Sequence, residues 1–101
     1  GQTYNNIGSA YRALGDHQNA IKHYKLSLEI KSKVLSSQHL LIASTLSNIG
    51  GVYEEIQEFK QALLFYERAA AIYRQRLPPT HTDYQRSQTD IRRVSDKLKS
   101  N

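Results

Sequence analysis

Tyr4-Asn5-Asn6-Ile7-Gly8-Ser9-Ala10-Tyr11 returns 42 residues later as Leu46-Ser47-Asn48-Ile49-Gly50-Gly51-Val52-Tyr53. The register continues beyond these eight positions. Ala20 maps to Ala62, Tyr24 to Tyr66, Ile30 to Ile72, Leu35 to Leu77 and His39 to His81. A chain that repeats itself with a period between about 20 and 50 residues is built from stacked units, each burying its apolar face only against its neighbours. The expected fold is therefore an all-α or mixed solenoid, and the pattern inside each unit decides which.

That pattern is helical. Tyr4, Ile7, Gly8, Tyr11 and Leu14 recur at three- and four-residue intervals and make one apolar stripe, and Gly15-Asp16 interrupts it. Ala20, Ile21, Tyr24 and Leu28, with Val34 and Leu35 further on, define a second helix that ends in the polar run Ser36-Ser37-Gln38-His39. Leu46, Ile49, Val52, Tyr53 and Ile56 form a third, and Gln57-Glu58 a turn. A fourth carries Ala62, Leu63, Tyr66, Ala69, Ala70 and Tyr73 up to Pro78-Pro79, where proline removes an N–H and disfavours helix in the preceding residue. A fifth, capped by Thr82 or Asp83, runs through Ile91, Val94 and Leu98. The predicted helices cover 2–14, 18–35, 41–56, 60–76 and 82–99.

Small residues recur where helices must approach. Glycine inside a helix costs about 0.5–1 kcal/mol relative to alanine, so Gly8 and Gly50 imply a close neighbour. Ala20 and Ala62 imply tight packing at the start of each second helix. Gly51 has no counterpart, since Ser9 takes its place in the first unit, and it reads equally as access for a ligand or as simple tolerance.

Tyr4, Ile7, Gly8, Tyr11, Ala20 and Tyr24, with Leu46, Ile49, Gly50, Tyr53, Ala62, Tyr66 and Ala69, resemble the tetratricopeptide repeat (TPR) consensus. The 42-residue spacing, the Asn5-Asn6 pair and the Val34-Leu35…His39 segment are similar to the lengthened repeats of kinesin light chain. The resemblance implies an all-α tandem of helix-turn-helix units forming a solenoid, with two repeats and a C-terminal capping helix. It divides a single domain, 1–101, into repeat one at 1–42, repeat two at 43–84 and a cap at 82–101. It also implies a non-enzymatic protein-interaction module, with the cytoplasm as the family's default location. Ser27 stands where the second unit has Ala69, and Ser32 and Arg74 replace the proline that ends shorter second helices.

Composition narrows the function. Among 101 residues there is no cysteine, which removes disulfides and thiolate metal sites. No stretch is long and apolar enough to span a bilayer, and Gly1-Gln2-Thr3 has no signal character. An opening at a repeat's first helix without methionine suggests a C-terminal piece of a longer array, whose uncovered first helix would self-associate or meet an upstream repeat. The net charge of +5 raises nucleic acid as a partner. However, Lys22, Lys25, Lys31 and Lys33 are separated from Arg86, Arg92, Arg93, Lys97 and Lys99 by Glu54, Glu55, Glu58 and Glu67, so no continuous basic stripe forms; neither nucleic acid nor membrane is expected as a partner. His17 falls in a turn, His23 on an exposed flank, and His39 and His81 at equivalent loop positions. None has the i, i+4 spacing of helical zinc ligands, and Glu54 and Glu55 diverge by about 100 degrees around their helix, so no metal, cofactor or catalytic role is expected.

Opposite the first helix's apolar stripe lie Gln2, Asn5, Asn6, Ser9 and Ala13; opposite the third's lie Ser44, Ser47, Asn48, Gly51 and Glu55; the fifth contributes Arg86, Thr89, Asp90, Arg93 and Lys97. In the implied solenoid these faces line a concave groove. The candidate peptide-binding residues are Asn5, Asn6, Ser9, Arg12, Ser47, Asn48, Gly51, Glu55, Arg86 and Arg93. A side-chain amide can bridge the N–H and C=O of a bound peptide. The resemblance assigns that role to Asn6 and Asn48, while bridging between neighbouring helices is the alternative. Arg12, Arg86, Arg93 and Lys97 should make the groove's ends basic, and Glu54 and Glu55 its middle acidic, suiting a peptide with acidic flanks. Asn5 and Ser47 lack the lysines with which some shorter repeats clamp a C-terminal carboxylate. An architectural spacer without a ligand of its own is the competing reading.

Overall fold

A computed structural model describes residues 2–100, with side chains from Tyr4 to Ser100; the Gln2 side chain and Gly1, both invoked above, lie outside the described residues. The helices are α1 (Gln2–Ala13), α2 (His17–Val34), α3 (Leu40–Glu55), α4 (Phe59–Arg76) and α5 (Thr82–Ser100), and no strand occurs among the described residues. Each helix packs on the next in chain order. The molecule measures 35 × 32 × 19 Å. A thickness of 19 Å is that of two helix layers at the usual 8–10 Å spacing. First helices and second helices thus form the two layers of a tandem solenoid.

The repeated glycines explain the pairing within each unit. A Cβ at Gly8 would stand 2.9 Å from Cδ1 of Tyr24, and one at Gly50 the same 2.9 Å from Cδ1 of Tyr66. The close neighbour is thus a tyrosine ring of the second helix, laid flat on bare backbone. Ala20 and Ala62 are fully buried beside these rings. One core, with Tyr24, Leu46, Ile49, Val52, Phe65 and Tyr73 among its members, joins the two repeats. A smaller one seats Val94, Ile91 and Leu98 of α5 against Ala62, Leu63 and Tyr66 of α4, as expected of a capping helix.

Turns end the helices by different means. Gly15 adopts φ 81° and its counterpart Gln57 φ 64°, the left-handed geometry that reverses the chain after each first helix. Asp16 caps α2, accepting from the Asn19 N–H at 3.2 Å. Glu58, at the same place before α4, makes no side-chain cap bond. His39 Nδ1 accepts from the Leu41 N–H, and His81 Nδ1 from the Asp83 N–H, both at 3.1 Å. The recurrent histidines are therefore caps, and His81 replaces Thr82 or Asp83 as the residue capping α5.

Three further expectations are corrected. Lys31 is 4% exposed, its Nζ donating to Ser27 Oγ at 2.8 Å and Thr45 Oγ1 at 3.0 Å, so it belongs to the core and not to a solvated basic face. His23 is half-buried against the Tyr11 ring at 5.1 Å, with Nδ1 2.8 Å from the Asn19 carbonyl. Leu14 and Val34, counted in apolar stripes, lie at helix ends and are mostly exposed.

Candidate peptide-binding groove

The groove's charged floor is held by α3. Glu54 lies one turn beyond Gly50, and α5 crosses beside it. Arg93 donates through Nε to Glu54 Oε2 at 2.6 Å and through Nη2 to Oε1 at 2.7 Å, a bidentate pair, and Nη2 also reaches Asp90 Oδ1 at 2.8 Å. The Tyr66 hydroxyl donates to Glu54 Oε1 at 2.8 Å, and Lys97 Nζ stands 4.0 Å from Oε2. The Arg93 bonds hold the Glu54 carboxyl below its usual range despite burial. Tyr66 is pushed up by burial and by Glu54, and Arg93 is held fully charged by its bond to Glu54.

A second pair closes the other side. Arg12 Nε on α1 donates to Glu55 Oε1 at 3.1 Å, and His17 Nε2 lies 3.6 Å from the same oxygen. Partial burial of Arg12 works against its charge, but the Glu55 bond prevails and raises its pKa. Gly51 makes room for this contact, since a Cβ there would meet Arg12 Nη2 at 2.5 Å. Both readings of Gly51 from the sequence missed this partner, which comes from the preceding unit.

Between these pairs lies a cleft of about 380 Å³. It gathers Arg12, Ser47, Asn48, Gly51, Glu55, Arg86 and Arg93 of the sequence-derived set, together with Glu54, Tyr66 and Asp90. Asn5, Asn6 and Ser9 do not line it. The Asn5 Oδ1 makes a long 3.5 Å contact with Asn48 Nδ2, Ser9 Oγ is bonded to the Tyr24 hydroxyl at 2.7 Å, and Asn6 is exposed. The expected alternation of basic ends and an acidic middle is thus largely spent internally. Arg93 is taken by Glu54 and Arg12 by Glu55. Arg86, 68% exposed, forms an ion pair only with Asp83, at 3.7 Å, among the described residues and is the groove cation left most open. Of Glu54, Asp90 and Tyr66, the two acids were placed on the groove from the sequence, though not among its candidate binding residues, and Tyr66, which reaches it from the second helix, was missed. Among the described residues no cluster of His, Asp or Glu is arranged to hold a metal ion, and no helix is long and apolar enough to cross a membrane.

Two-layer stacking of helical hairpins, with a side-chain-lined cleft across the first helices, defines the chain as a helical-repeat scaffold. The tetratricopeptide repeat family matches over residues 1–75, and the chain belongs to that family. Repeats of this kind act as protein-interaction modules. The chain is 33% identical over 67 residues to the human protein O-mannosyl-transferase TMTC1, a match that covers 66% of this chain and 7% of that protein. In fold it is similar to the nearly identical TPR-like repeats of a kinesin light chain candidate from Podosopora anserina, with a TM-score of 0.85 at 19% identity over 98% of this chain and 47% of that one. A single-substitution variant of that protein gives the same figures. The chain therefore spans about half of those repeat proteins and a small part of the transferase.

Proposed function

We propose that the cleft between α3 and α5 holds the main chain of an extended peptide from a partner protein, with Asn48 as its principal contact. The gathering of Ser47, Asn48, Gly51, Arg86 and Arg93 around one 380 Å³ opening carries this reading. Ser47 is short enough for a backbone to approach, while the space over Gly51 is filled by the Arg12 side chain. The half-buried Asn48 amide has only a long contact to Asn5 to give up, so it can offer both a donor and an acceptor to one peptide unit. Because the Glu54–Arg93 and Glu55–Arg12 pairs are closed, recognition rests on backbone hydrogen bonds, with Arg86 favouring an acidic residue nearby.

The test uses peptides selected on the wild-type chain from a displayed random library, then titrated calorimetrically against wild type and Asn48→Ala. Losing hydrogen bonds to a buried peptide unit costs about 1–3 kcal/mol, so affinity should fall about tenfold or more while the unfolding temperature holds. Equal affinities would move the binding surface off this cleft, and a library that yields no binder would favour a spacer role. A large loss of stability would make Asn48 a helix-bridging residue.

A further inference from the structure

The lengthened second helices create another opening, away from the groove. It lies between α2, the loop after it and α4, has a volume of about 320 Å³, and is floored by Leu28, Ile42, Leu46 and Ile72. Its rim is polar, with Ser32, Ser37, Gln38, Arg68 and Gln75. Ser32 sits on the part of α2 that a shorter repeat would lack, and Ser37 and Gln38 belong to the loop that follows.

Two features of the rim point to an occupant. Gln38 Oε1 is buried and has no hydrogen-bond partner, a costly state for an amide acceptor. Arg68 has its guanidinium carbon 5.4 Å from the centre of the Phe65 ring and forms no ion pair among the described residues. No acidic side chain lines the opening. The opening therefore sets a cation without a carboxylate at its rim and an acceptor without an N–H buried beside it, above an apolar floor.

We infer that this cleft is a second peptide site, taking a partner-protein segment in which an apolar residue is followed by an acidic one. The apolar side chain rests on Ile42 and Ile72, a backbone N–H of the segment donates to Gln38 Oε1, and the carboxylate pairs with Arg68. Charge complementarity selects this occupant over a basic or purely apolar one. The assignment is independent of the groove, because the two openings share no lining residue.

The capped dipeptide Ac-Phe-Asp-NHMe is a sufficient probe. Titrated into the 15N,13C-labelled chain, it should produce saturable shifts at the Gln38 side-chain amide and the Ile42 and Ile72 methyls. Arg68→Glu, at an exposed position and with its fold checked by circular dichroism, should weaken binding about tenfold, as should replacing the probe's aspartate by asparagine. Asn48→Ala should leave the titration unchanged. Shifts that never saturate, that centre on Asn48, or that are indifferent to Arg68→Glu and to the asparagine probe would overturn the assignment.

Discussion

In the first repeat the Tyr24 ring lies on Gly8 and its hydroxyl meets Ser9; in the second the Tyr66 ring lies on Gly50 and its hydroxyl donates to Glu54. The apolar half of the device is identical and the polar half is not. The same division runs through the rest of the two units. Ser27 and Lys31 in α2 form a buried polar contact where α4 has Ala69 and Tyr73. Arg12 points to an acid in the next unit, and its counterpart Glu54 points to a base. Shape is held constant because a ring on bare backbone tolerates no extra carbon. Polar ends are free to vary as long as each finds a partner; the hydroxyls find theirs within the unit, and the charges Arg12 and Glu54 find theirs in the next.

The largest expected effect tests the constant half. Gly50→Ala places a methyl 2.9 Å from a ring that is 4% exposed and tethered through its hydroxyl to Glu54. Overpacking of this kind costs about 1–3 kcal/mol, reduced by the better helix propensity of alanine. Urea unfolding should show a net loss of roughly 1–2 kcal/mol, and Gly8→Ala the same, since Tyr24 stands at the same 2.9 Å. Gly51→Ala is the contrast. Its methyl meets only the tip of Arg12, which can swing aside, so stability should stay within about 0.5 kcal/mol. Equal losses at Gly50 and Gly51 would mean that the tyrosine contact is not what requires the glycine.

This division also sets what the sequence could reveal. Helices, glycine–tyrosine register and capping helix were legible because apolar spacing and bare backbone leave a periodic trace. The fate of charges was not, because it depends on partners a full unit away. Glu54 and Glu55 read as an acidic groove centre until Arg93 and Arg12 were seen to neutralise them. Lys31 read as solvated because it follows Lys22 and Lys25 in composition. Its register position, that of Tyr73, was the better guide. His81 was legible as the repeat of His39 but not as a cap, since histidine is a less usual capping residue than the Thr82 and Asp83 beside it.

Lys31 offers the next test. Burial pushes its pKa down, so below the folded-state value the native state bears the full cost of a desolvated ammonium. Between that value and about 10.4, where an unfolded lysine titrates, the unfolded chain binds more protons, and stability rises with pH. Lys31→Met keeps an unbranched side chain, one atom shorter, and removes the charge. At neutral pH it should be more stable by about 1 kcal/mol, with the advantage shrinking toward pH 10, as read by urea unfolding across pH. A loss of stability at neutral pH would show that the bonds to Ser27 and Thr45 outweigh the desolvation.

The smallest effect concerns the turns, where the second repeat is the less well adapted. Gly15 takes its left-handed φ without a Cβ, whereas Gln57 holds φ 64° with a full side chain. That conformation costs an ordinary residue roughly 1–2 kcal/mol, partly offset by the greater freedom a glycine loses on folding. Gln57→Gly should therefore stabilise by about 0.5–1 kcal/mol, seen as a higher urea midpoint at unchanged slope. Glu58→Asp should add a few tenths more by shortening the side chain to the length with which Asp16 caps α2. The gains should add, since one acts on the backbone and the other on a free helix N–H. If Gln57→Gly leaves the midpoint where it was, the left-handed turn is offset by a contact of the glutamine side chain, and the two repeats close their hairpins by different physics.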